Sequence, residues 1–211
     1  MSDTSTPPDR TNWAVDYDVA PVRIRDPVAE ALGLLPPGEP FVITYRDVVT
    51  AAGHSCPTAA GAYRITWEGL EALYPEALPV RSEVAVAAGG PREDPAYGVM
   101  GRLVSFVTGA AEEDGFGGLA GGYGGRQGLF TYGDFAGTDP AFEFTRTDTG
   151  ETVRVTYAVS EAPGLGPARE HLPKILEGSA TGAERAAFQG AWRARVRTVL
   201  AAEDLFAVTR D

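Results

Sequence analysis

Residues 141–159 read "AFEFTRTDTGETVRVTYAV", and their alternation decides the fold class. Phe142 and Phe144 alternate with polar neighbours, and Val153, Val155 and Tyr157 do so again beyond the link "TDTG". Period-two patterning on both sides of a short glycine-bearing link predicts a β-hairpin. Helical patterns flank it on both sides. "PTAAGAYRITWEGLEALYP" at 57–75 places Ala60, Tyr63, Trp67, Leu70 and Leu73 on one face at spacings of three and four. "TGAERAAFQGAWRARVRTVLAA" at 181–202 opens with Thr181 three residues before Glu184, a capping-box pattern, and carries Phe188, Trp192, Val196 and Val199 along one face. The expected architecture is therefore α+β, with helices packed on a mostly antiparallel or mixed sheet.

Between these segments, "PVRSEVAVAA" at 79–88 alternates Val80, Ser82, Val84 and Val86 and reads as a strand. "YGVMGRLVSFVTGAA" at 97–111 reads as a buried helix with Val99, Leu103, Phe106 and Val107 on its inner side. Asp26, Pro27 and the apolar residues after them predict a short helix, and "FVITYRDVVTAAG" at 41–53 turns from strand-like to helical near Tyr45. The polar "STPP" start predicts a disordered arm over residues 1–12 and a single domain over 13–211.

The chain has 211 residues, 44% of them hydrophobic, which is enough for a sizeable core. No apolar run reaches the roughly 18 residues of a spanning helix, and the start lacks the order of a signal peptide, so a cytoplasmic location is expected. The net charge of −11 argues against nucleic acid and anionic membrane surfaces as partners. One cysteine permits neither an intrachain disulfide nor a four-cysteine zinc site.

That cysteine, Cys56, stands two residues after His54 in "AAGHSCPTAAGAYR". Pro57 suits the first helical position, so Cys56 is expected at or beside the N-cap, where the helix dipole favours thiolate. Imidazole and thiolate together suit zinc first, and iron, copper or haem iron less often. The pair also reads as a nucleophile with its base, or as plain packing. His171, in "AREHLPK", is either a distant base, a third ligand or a surface residue. The glycine-rich "EEDGFGGLAGGYGGRQG" at 112–128 follows a helix and precedes a strand, the wrong context for a dinucleotide fingerprint. It reads as a loop closing over a site, with Arg126 as a candidate contact for an anionic ligand.

"GHSCPTAAGAYR" resembles the first motif of the FmdE-like family, which takes its name from a component of formylmethanofuran dehydrogenase. "DPAYGVMGRLVSFVTGA" with "GLFTYGD" is similar to the second family block, and "LPKILEG…AAFQGAWRARVRTVL…EDLFAV" resembles its C-terminal helix and its closing "Leu-Phe-x-Val", in a C-terminal third expected to be helical. The similarity runs from about residue 40 to the end. It implies an α+β fold, a homodimer, a small-molecule ligand, and a metal, usually zinc, held by His54 and Cys56. Two departures stand out: Tyr97 lies at or near the place of the family's second-block cysteine, and the C-terminal zinc ribbon is missing. The open ligand positions then fall to water, substrate, Glu93, Asp94, His171 or Tyr97, with Tyr97 or a carboxylate as candidate proton carrier. Three functions follow as expectations: a metal- or haem-dependent enzyme acting on a small molecule; a non-catalytic metal or cofactor carrier or accessory subunit of a redox enzyme; and a metal-free cysteine-nucleophile enzyme.

Overall fold

The structure, a computed structural model, describes residues 11–210. The arm expected over 1–12 thus lies outside the described residues except for Thr11 and Asn12, which are exposed coil. The hairpin forms as the alternation requires. Strands β5 (Ala141–Arg146) and β6 (Thr152–Tyr157) pair antiparallel, with Phe142 opposite Val155 and Phe144 opposite Val153. All four side chains are fully buried, whereas Glu143 and Arg154, also directly opposed, form a salt bridge on the other face.

This hairpin is the centre of a five-stranded mixed sheet in the order β4-β3-β5-β6-β7, where β3 is Val84–Ala88, β4 Phe130–Tyr132 and β7 Phe206–Arg210. Only β3 and β4 are parallel. A separate antiparallel ribbon pairs β1 (Val22–Ile24) with β2 (Phe41–Ile43). The helices are α1 (Pro27–Ala31), α2 (Tyr45–Ala52), α3 (Pro57–Leu73), α4 (Pro95–Thr108), α5 (His171–Leu176) and α6 (Gly182–Ala201). No helix among the described residues is long and apolar enough to cross a membrane. Residues from β1 to β7 share one hydrophobic core.

Helix α3 seats on the hairpin through two glycines. Gly61 meets the ring of Tyr157, and Gly69 that of Phe144, so a missing Cβ at each point lets helix and sheet approach closely. Gly61 therefore lies beside the Ala141–Thr156 end of the hairpin, and Tyr97 of α4 reaches the same end by accepting a hydrogen bond from the Ala141 N–H (3.1 Å). Both helices consequently begin at one end of the sheet. Buried Arg64 ties α3 to the C-terminus: it donates to the Leu200 carbonyl and to Glu68, and its guanidinium lies over the rings of Trp67 (5.5 Å) and Phe206 (5.1 Å).

The structure corrects three readings. The inner face of α4 is Tyr97, Met100, Gly101, Val104 and Val107 with Leu103, whereas Val99 and Phe106 are each 42% exposed. The spacing 99/103/106 picks out a stripe rotated away from the true one, because small Gly101 marks the contact line and no apolar count detects a glycine. The strand expected from Val80 begins only at Val84, since residues 81–83 form a 3₁₀ turn from which Arg81 donates to the last carbonyls of α4, on Phe106 and Val107. The C-terminal third is not wholly helical: β7 returns as the edge strand beside β6.

Candidate functional site

The His54–Cys56 turn is built by a stop and a start. Helix α2 ends at Gly53, whose φ of 76° is the left-handed conformation that glycine adopts without strain. Helix α3 starts at Pro57, with Cys56 as N-cap in extended backbone (φ −147°). Its Sγ accepts a hydrogen bond from the Ala59 N–H at 3.4 Å, and the residue is 8% exposed. The thiol thus sits on the positive end of a 17-residue helix.

His54 is exposed, with Nδ1 3.1 Å from the Ala52 carbonyl. A carbonyl only accepts, so Nδ1 is the donor, and in the neutral ring Nε2 presents a lone pair. Ser55 between the two is held from both directions. Its carbonyl accepts from the Trp192 indole N–H of α6 (2.7 Å), and its hydroxyl joins Tyr45 (3.0 Å) and Tyr17 (3.1 Å) in a chain of three hydroxyls. The Tyr17 and Tyr45 rings meet edge to face at 5.3 Å. A cleft of about 470 Å³ opens here, lined by Trp13, Tyr17, Arg46, Val49, His54 and Ser55 among others.

Behind the turn, the Tyr157 hydroxyl is fully buried and has no hydrogen-bond partner among the described residues. Burial pushes its pKa up to about 12; nearby Arg195 opposes this, and a charge on Cys56 reinforces it. Burial likewise raises that of Tyr45, against the hydrogen bond to Ser55. Both tyrosines are therefore neutral hydroxyls at physiological pH.

The other expected site residues lie elsewhere. Tyr97 is buried, its hydroxyl committed to the Ala141 N–H and its ring 5.8 Å from that of Phe142. Glu93 and Asp94 line a different cleft, and Asp94 caps α4 by accepting from the Ala96 N–H (2.8 Å). His171 opens α5 with Nδ1 3.9 Å from Glu184, eight residues and about 12 Å along α6 from the Trp192 that touches Ser55. Arg126 meets no open anion site but donates to Asp26 (2.7 Å), which is 3% exposed and caps α1. The glycine-rich loop is strapped to α1 by this pair and by the Tyr123 hydroxyl on the Pro27 carbonyl, and none of its residues lines the His54 cleft. Sequence reading missed Tyr17, Tyr45, Ser55, Tyr157, Trp192 and Arg195 as neighbours; only Ser55, inside the motif itself, carried a local signal.

The donors fit a borderline-soft metal in kind: one imidazole with its second nitrogen on a carbonyl, and one thiol on a helix N-terminus. They do not complete a shell, because among the described residues no group of three His, Cys, Asp or Glu side chains converges to hold an ion. His54 lines the cleft and Cys56 does not. In comparisons with known proteins, no family model matches this chain and no curated protein matches it.

Proposed function

We propose that the protein is a cytoplasmic, homodimeric FmdE-like metalloprotein that acts as an enzyme on a small molecule in the cleft beside His54. The observation that carries this reading is the preparation of two donors on one turn, His54 and Cys56, with Ser55 between them. His54 has Nδ1 committed to Ala52 and Nε2 available, and Cys56 stands on the positive end of α3. His54 and Cys56 would hold the transition metal, zinc before iron or haem, and its chemistry there would be Lewis-acid polarisation of a substrate oxygen or acidification of a water. The chain's own residues do the rest. Trp13 and Val49 furnish apolar wall, and the Tyr17 hydroxyl, which accepts from Ser55 Oγ, keeps its own proton to donate at the cleft. Ordered by Trp192, Ser55 holds the turn between the two donors in one conformation.

The experiment is cobalt(II) reconstitution of chelator-treated protein. A thiolate-to-cobalt charge-transfer absorption is expected, abolished in Cys56→Ser and weakened in His54→Ala; no such band in the wild type overturns the reading. A metal-free cysteine enzyme is the second reading, favoured by the Ala59 N–H on Sγ and by the lack of a third donor among the described residues. It requires that Cys56 be alkylated by iodoacetamide at neutral pH faster than the same thiol in urea, and that added zinc leave that rate unchanged.

A further inference from the structure

Glu93 and Asp94, set apart from His54, belong to a cleft of about 530 Å³ that runs along α4 and is backed by Phe130 and Tyr132 of β4. Several of its polar groups are already engaged. Asp94 caps α4, Ser105 donates to the Ala110 carbonyl, and Arg92 pairs with Glu112 while lying over the Tyr132 ring at 5.3 Å. Four are not: among the described residues no hydrogen bond or ion pair holds Arg102, Glu93, Asp114 or the Tyr132 hydroxyl.

The placement of that hydroxyl is a built feature. A Cβ at Gly101 would lie 2.5 Å from it, so glycine at this helical position lets the hydroxyl rest on the α4 backbone beside Arg102. The unengaged charges are one cation and two anions. A bare anion would meet a net negative surface, and a bare cation would leave Arg102 unanswered. A ligand carrying both signs answers all of them. Val99, 42% exposed, adds apolar surface to the lining, with buried Phe130 behind it.

We propose that this cleft binds a small zwitterion of the amino-acid type. Its carboxylate is taken by Arg102 and the Tyr132 hydroxyl, its ammonium by Glu93 and Asp114, and its side chain by Val99 and Phe130. A free amino acid and a short peptide share this chemistry, and their end-to-end lengths separate them. The site is independent of the His54 turn.

Isothermal titration of the full chain with leucine, leucyl-glycine, N-acetyl-leucine and isopentylamine tests the assignment. Saturable binding is expected for leucine or for the dipeptide, whichever span fits, and binding about tenfold or more weaker for the two singly charged probes. Arg102→Ala is expected to weaken the zwitterion about tenfold and leave isopentylamine unaffected, and Tyr132→Phe to weaken it less. Arg102 is exposed, so an unchanged melting temperature will show that its variant is folded. No saturable binding of either zwitterion, N-acetyl-leucine binding as well as leucine, or full affinity in Arg102→Ala would each overturn the proposal.

Discussion

Replacing Gly61 with alanine should destabilise the protein, against the usual sign for a helix interior. In an open helical position this change gains about 1 kcal/mol from backbone entropy and propensity. At Gly61 the new Cβ would stand 2.5 Å from Cε1 and 2.7 Å from Cδ1 of Tyr157. The ring has nowhere to go: it is fully buried and stacked on Phe206 at 4.9 Å and 12°. Overpacking in a rigid core costs about 1–3 kcal/mol, and a clash an ångström inside contact belongs at the upper end. The net expectation is a loss of ~2 kcal/mol, or roughly 4–8 °C in melting temperature for a chain of this size. Gly190→Ala in α6 is the control, because nothing lies within 4 Å of a Cβ there. It should gain about 0.5–1 kcal/mol. Urea and thermal unfolding of both variants measure the pair. Gly61→Ala at or above wild-type stability would refute the seating of α3 on β6.

Three further outcomes are expected. Asp26→Ala removes the α1 cap and leaves Arg126 and Arg81 facing each other, so it should cost about 3–5 kcal/mol in urea unfolding and open the 115–128 loop to limited proteolysis. Glu184 is held at about 2 instead of the ordinary 4.5 by Lys174 first and then by the Thr181 backbone and hydroxyl. A depressed carboxylate contributes stability above its ordinary value that is lost as pH falls from 4.5 toward 2, so the amide-exchange protection factors in the first turn of α6 should fall over that window and stay level in Glu184→Gln. Trp192→Phe deletes the donor to the Ser55 carbonyl; about 1–2 kcal/mol of stability should go, with faster exchange of the 53–56 amides.

What was legible was local. The hairpin announced itself because each strand buries one face, and period-two patterning survives any tertiary context. Pro57 fixed the start of α3, and Thr181 with Glu184 fixed that of α6, since caps are closed by residues three positions apart. The inner face of α4 was not legible, because its contact line runs over Gly101 and the apolar Val99 and Phe106 point outward. Nor was the fate of Arg126, whose partner Asp26 lies one hundred residues away. The site divides in the same manner. His54 and Cys56 stand two residues apart in one motif and are legible from it, whereas Tyr17, Tyr157 and Trp192 reach the turn from an N-terminal coil, a strand and a distant helix. Charge alone does not separate Asp94 from a ligand, because a carboxylate at the start of a helix serves as a cap as readily, and Asp94 caps α4.

The most direct measurement is metal analysis, with a visible absorption spectrum, of protein purified without a histidine tag, as wild type, His54→Ala and Cys56→Ala. The expected result is a transition metal, zinc foremost, in the wild type and its loss from both variants; an intense band at the blue end of the visible range would identify haem instead. Full metal content in both variants, or none in a wild type offered zinc and iron, would contradict a site built on His54 and Cys56.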